Sequence, residues 1–184
     1  MIAIGAFRTA RAAAMTVVGL FILGAPSAEA ATREAEVKAA YVYKLASFVR
    51  WPDDAFRRSE APFRICLTGR DDISAVVEAL ARGQKAQERP IAVTRIDPAR
   101  AEAAVDCQIL FVGRGEAAAR ALLRALGRRP ILIVTDRSGG TRGGIIEFML
   151  QGGKVRFAIH LEAAKARQLE LSSKLLAVAQ SVEP

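Results

Sequence analysis

At 184 residues and 52% hydrophobic composition, the chain has the length of one domain and enough apolar side chains for a single core. Its formal net charge is +8, yet the basic residues are scattered from Arg50, Arg57 and Arg58 onward, with no dense block and little aromatic interleaving. That pattern argues against nucleic acid as a partner. It leaves ordinary solvated charge, or attraction to an anionic membrane surface or an acidic partner patch.

Arg8 and Arg11 precede an apolar run over residues 12–24, and Pro26 and Ala28-Glu29-Ala30 follow it. A positive head, a short apolar run and a small-x-small site describe a secretory signal peptide. The run is shorter than the ~20 residues of a typical membrane span, and no cysteine follows it to suggest a lipoprotein anchor. The expected division is a signal peptide over 1–30, cleaved after Ala30, and a soluble exported domain over 31–184. Loss of Arg8, Arg11 and Glu29 lowers the charge from +8 to +7. In an oxidising periplasm Cys66 and Cys107 tend to form a bridge, the alternative being two buried thiols acting as small hydrophobes. Two cysteines and one distant histidine are too few for a metal site.

The first segment able to pack a core covers residues 31–52. Val37, Tyr41, Leu45 and Phe48 recur at helical spacing, with Glu34, Lys38 and Lys44 between them, and Trp51-Pro52 should stop the helix near Val49 or Arg50. Residues 53–62 read as a surface loop and 63–68 as the first core strand. A helix capped by Asp71 or Asp72 carries Ile73, Val76, Val77 and Leu80 on one face and stops at Gly83. A polar link over 84–89 leads to a second strand over 90–96, and Asp97-Pro98 opens a short helix through Ala104. The apolar runs 107–112 and 130–135 suit strands covered on both faces, with a helix over 116–126 between them. Four strand–helix alternations predict a mainly parallel sheet flanked by helices. After a flexible glycine-rich loop over 137–144, residues 145–150 and 154–159 form an antiparallel hairpin around Gly152-Gly153. Two helices, 161–168 and 172–182, close the chain. The fold class is therefore α/β: one three-layer domain with about four parallel strands and a C-terminal hairpin.

No catalytic signature stands out. Gly113-Arg114-Gly115-Glu116-Ala117-Ala118 has the layout of a dinucleotide-binding turn, with Asp136 about twenty residues on. Arg114 and Glu116 crowd the phosphate position, however, and the strand before it is the third rather than the first. The loop RSGGTRGG could cradle an anion but lacks the lysine and helix of a P-loop. His160 is the sole histidine and has no nucleophile elbow to serve.

Several motifs in order resemble the YfiR-like family of periplasmic regulators. The opening Val37-Lys38-Ala39-Ala40-Tyr41-Val42-Tyr43, with Phe48-Val49-Arg50-Trp51-Pro52, is similar to the family's first helix. The strand Phe63-Arg64-Ile65-Cys66-Leu67-Thr68-Gly69, the strand entry at Arg89-Pro90-Ile91 and Cys107-Gln108-Ile109-Leu110-Phe111 follow. The Pro-Ile-Leu strand ending in Asp136, then Ile145-Ile146-Glu147-Phe148, Val155-Arg156-Phe157-Ala158-Ile159 and Leu171-Ser172-Ser173-Lys174 complete the match over nearly all of the mature chain.

The resemblance implies a non-catalytic protein without cofactors that restrains an inner-membrane diguanylate cyclase, with an outer-membrane OmpA-like lipoprotein able to sequester it. It also implies a Cys66–Cys107 disulfide and a homodimer. Three departures stand out: no second cysteine pair near the 145–155 hairpin, His160 where asparagine is common, and Gln168 where glycine usually precedes Leu169. The expected partner surface is the last hairpin and the helix after it, including Phe148, Phe157, His160 and Ala164. The alternative is a periplasmic small-ligand or nucleotide sensor using strand ends near Gly69, Gly113 and Asp136.

Overall fold

The computed structural model describes residues 28–69 and 73–184. The expected signal peptide lies outside the described residues up to Ala28, as do the proposed helix caps Asp71 and Asp72. Helix α1 spans Ala28–Leu45. It ends four residues before the expected stop, because Ser47 and Phe48 turn back on Lys44 and Leu45 and the two-residue strand β1, Val49–Arg50, begins. Strand β2, Phe63–Thr68, and helix α2, Ile73–Ala81, follow where the sequence placed them. The polar link instead contains strand β3, Lys85–Ala86, hairpinned to β4, Arg89–Arg95. Gln87 and Glu88 make that turn with φ of 49° and 61°, and the tight two-residue geometry requires positive φ at both positions.

A single 3-10 turn at Ala101–Ala104 leads into β5, Ile109–Val112, then α3, Glu116–Leu126, and β6, Leu132–Asp136. The hairpin pairs β7, Ile146–Gln151, with β8, Lys154–His160. Both closing helices are shorter than the sequence suggested: α4 is Leu161–Lys165 and α5 is Ser173–Ala177. The Ser172 hydroxyl caps α5 by accepting from the Leu175 amide, as expected of that residue type. Strand β9, Glu170–Leu171, pairs with β1, and β10, Ser181–Glu183, replaces the expected helical end.

The main sheet has eight strands in the order β10-β8-β7-β6-β5-β2-β4-β3. Strands β4, β2, β5, β6 and β7 are parallel, β8 is antiparallel to β7, and β10 lies parallel to β8. The parallel step from β6 to β7 needs no helix. The end of β6 lies beside the start of β7, with Val134 opposite Ile146 and Asp136 opposite Phe148, so the intervening loop need not travel back along the sheet.

Strand periodicity distributes the core over two faces. Ile65, Leu67, Phe111, Val134 and Phe148 face one side, against Ala39, Val42 and Leu45 of α1, Val77 of α2, Ala164 of α4 and Leu175 of α5. Cys66, Leu110, Val112 and Ile133 face the other, against Ala119, Leu122 and Leu126 of α3. Three layers result. A fully buried side chain of this size contributes about 1.5–3 kcal/mol, so the four fully buried phenylalanines, Phe63, Phe111, Phe148 and Phe157, matter most where they cluster.

The glycine-rich segment after β6 is fixed rather than loose. Thr141 is buried and its hydroxyl donates to the Gly113 carbonyl at 2.8 Å. The Ser138 hydroxyl accepts from the Leu150 amide, and the Gly143 amide donates to Glu147. At Gly144 a side chain would meet Thr135 Oγ1 at 2.7 Å, so only glycine allows this backbone to enter β7.

Candidate interaction surface at the C-terminal edge of the sheet

The β7–β8 hairpin carries the residues expected to meet a partner, and strand alternation divides them. Phe148 and Phe157 are register partners whose rings face α1, 5.9 and 5.4 Å from the Tyr41 ring. They are 0% and 2% exposed, and Ala164 of α4 is 1% exposed. These three residues are core. The reading of them as a contact surface is corrected, since apolar content in a sheet covered on both faces reports burial as readily as docking.

His160 is different. It ends β8 on the α3 side of the sheet, partly exposed, with Nδ1 3.3 Å from a Glu183 carboxylate oxygen and Nε2 3.8 Å from Glu147. Glu147 is buried on β7 and accepts the Gly143 amide, whereas Glu183 sits opposite His160 in the β8–β10 register. The imidazole thus spans the loop-anchoring carboxylate and the last strand. A neutral imidazole donates from one nitrogen only, and both nitrogens donate when it is protonated.

Beside this cluster the sheet ends. Among the described residues, five large apolar side chains are exposed: Val37, Leu80, Leu150, Val178 and Val182. Two of them, Val178 after α5 and Val182 on β10, belong to this edge, whereas Leu150 lies at the tip of the β7–β8 hairpin opposite Val155. Val178 is 65% exposed. Among the described residues the outer side of β10 has no strand beside it, which makes it an edge strand of the sheet. The edge escaped sequence reasoning because residues 172–182 carry helical spacing. The break after Ala177 is set by the Gln180 amide donating to the Phe157 carbonyl, a contact over more than twenty residues.

The cysteines do form a bridge. Cys66 on β2 and Cys107 just before β5 have Cα atoms 5.8 Å apart on neighbouring strands, under α3. The bridge joins two strands rather than shaping an exposed site.

Of the strand-end residues of the alternative reading, Gly69 and Gly113 come together at one cleft and Asp136 does not join them. Gly69 and Gly113 lie at the switch point where the chain leaves β2 for β4 on one side and returns to β5 on the other. They pack so closely that a Cβ on Gly69 would lie 2.7 Å from the Gly113 carbonyl carbon. A cleft of about 380 Å³ opens nearby, lined by Thr68, Arg95, Pro98, Gly115 and Ala118 among others. Arg95 is engaged there, donating to the Gly69 carbonyl and the Ser74 hydroxyl.

Asp136 lies on the opposite face and is only 2% exposed. Its Oδ2 is 2.5 Å from Lys38 Nζ, and its Oδ1 accepts the Ser138 amide. Glu34 is the second partner of Lys38. Asp136 is therefore committed to the α1 packing and cannot serve as the ribose-binding acid of a dinucleotide site. Burial lowers the Lys38 pKa, but the Asp136 and Glu34 carboxylates more than offset it, so the pKa lies above the ordinary 10.5.

The family model described as YfiR/HmsC-like matches residues 35–180, from the first helix through the residue before β10. No curated protein matches the chain. The matched family is regulatory rather than catalytic and is periplasmic. The match covers more than half of the chain and both layers of core, and the protein belongs to the YfiR/HmsC-like family.

Proposed function

We propose that this protein is a periplasmic, non-catalytic regulator that binds and restrains an inner-membrane diguanylate cyclase. The family match across residues 35–180 carries the reading. Restraint would work by mass action: the regulator binds one conformation of the enzyme's periplasmic part and shifts its equilibrium, and a second protein competes for the regulator. An outer-membrane OmpA-like lipoprotein is the competitor we propose, and a homodimer is the form of the regulator.

The contact surface we assign is the C-terminal edge, with Val178 and Val182 as apolar contacts and the His160–Glu183 pair on the other face of the same edge. The test is cross-linking in intact cells followed by mass spectrometry of what co-purifies. Wild-type protein is expected to recover an inner-membrane cyclase, and V178E/V182E to lose at least tenfold of that yield while remaining folded. Recovery of self-cross-links alone would overturn the reading. The cleft beside Thr68 favours a second reading as a small-ligand sensor, because the Thr68 hydroxyl is buried there without a partner among the described residues. A thermal-shift screen separates the two, since a tight ligand raises apparent stability without any membrane protein present.

A further inference from the structure

The exposed side of α3 carries a concentration of positive charge that neither the core nor the C-terminal edge uses. From Ala117 to Thr135 the sequence contains four arginines, Arg120, Arg124, Arg128 and Arg129, and no acidic residue. All four are exposed. Arg120 and Arg124 are one helical turn apart, on the side opposite the buried stripe of Ala119, Leu122 and Leu126. Arg128 and Arg129 follow directly after the Gly127 turn that ends the helix.

Several basic side chains elsewhere have an acidic partner. Arg33 pairs with Glu29, Lys38 with Glu34 and Asp136, Arg57 with Asp106 and Lys165 with Glu162. Among the described residues, Arg124, Arg128 and Arg129 form no ion pair. Two further arginines extend the patch. Arg167 donates to the Arg129 carbonyl, and exposed Arg142 adjoins Gly143, where a Cβ would touch Leu123 of α3 at 3.5 Å. Acids also occur on this side: Glu102 lies on the 3-10 turn packed against α3, and Glu147 and Glu183 flank His160.

Favourable interaction with the negative end of the helix dipole accounts for one or two cations near the end of α3. It does not account for a run that continues past Gly127. The outer residues between the arginines are also informative. Ala118, Ala121 and Ala125 are exposed, and no aromatic or large aliphatic side chain stands among them. A protein interface draws its energy from buried aromatic and arginine anchors, and the exposed residues between these arginines supply no large apolar anchor. An anionic lipid surface needs none, because each arginine near it contributes through charge alone.

We propose that the α3 face docks on anionic phospholipid, orienting the protein with its α1/α2 layer away from the bilayer. The inference stands independently of the cyclase reading. It is tested with purified protein sedimented with vesicles of phosphatidylcholine or of phosphatidylcholine mixed with phosphatidylglycerol. Binding is expected to the mixed vesicles only, and it should fall steeply with added salt. R124Q/R128Q is expected to lower the partition coefficient by about 30-fold. K44Q/R82Q, with the same net charge but changed on α1 and after α2, should lower it by less than threefold. Circular dichroism and thermal melts confirm that both variants fold. Equal loss in the two variants would assign binding to net charge and overturn the proposal, as would failure of wild type to bind the mixed vesicles at low salt. Retardation by poly-L-glutamate without vesicle binding would assign the face to an acidic protein instead.

Discussion

Lys38 is 5% exposed and contacts two carboxylates, so its energetic role depends on what remains when it is removed. Lys38→Met would strand Asp136 as an uncompensated buried charge, at a cost of about 3–5 kcal/mol. The double variant K38M/D136N should recover a large part of that loss, and urea denaturation of the three proteins checks both statements. The pH dependence has a definite sign. A lysine whose folded pKa is raised contributes stability that is fully present below 10.5 and is lost as pH rises through the folded value. The advantage of wild type over K38M should therefore be constant through neutral pH and shrink only in strong alkali. Gln168 holds a φ of 57° after α4, with its amide donating to Lys165 and the next amide to Ala164. Glycine favours that conformation, so the departure noted in the sequence preserves the turn at a cost in backbone strain. Gln168→Gly should stabilise by about 0.5–1 kcal/mol, read as a raised melting temperature. Neither effect was legible beforehand. Lys38 fell between apolar positions that a helical wheel assigned to the core, and the helix is instead rotated so that Lys38 is inside and Val37 is 37% exposed.

The strands β2, β5 and β6 and the helix α3 were legible within a residue or two, because each is bounded by glycine, proline or a polar turn and its pattern agrees with its environment. The short strands β1, β3, β9 and β10 were not. Each has two or three residues; β1, β9 and β10 depend on distant partners, as β1 does on β9 through Val49 opposite Leu171, and β3 pairs with β4 across a turn that contains no glycine. The disulfide ties two of the legible elements. It closes a loop of 41 residues between β2 and the start of β5, for which the chain-entropy estimate is about 4 kcal/mol. Cys66→Ser with Cys107→Ser should lose close to that amount in denaturant titrations, while reducing agent should leave the double variant unaffected and bring wild type toward it.

For the whole molecule, two different surfaces are assigned to two different tasks. The C-terminal edge offers exposed apolar side chains on an edge strand, and the α3 face offers clustered positive charge without a large apolar anchor. An edge of the first kind suits a protein partner, and a face of the second kind suits a charged lipid surface. Their separation would let the regulator sit at a membrane while engaging a protein in it. Variants of one surface should leave the other measurement unchanged, which the co-purification and vesicle experiments read separately.

The sequence alone determined the α/β class, the parallel centre, the hairpin and the family resemblance, because these rest on periodicity, punctuation and motif order that travel with the local chain. The tertiary structure decided which apolar residues are surface. Phe148, Phe157 and Ala164 look no different in sequence from Leu150, Val178 and Val182, yet the first three are core and the others are exposed. A strand two residues long, a buried ion pair spanning ninety-eight positions and a sheet edge all depend on what another segment brings into contact. Local spacing carries no record of that partner, so these features exist only once the chain has folded.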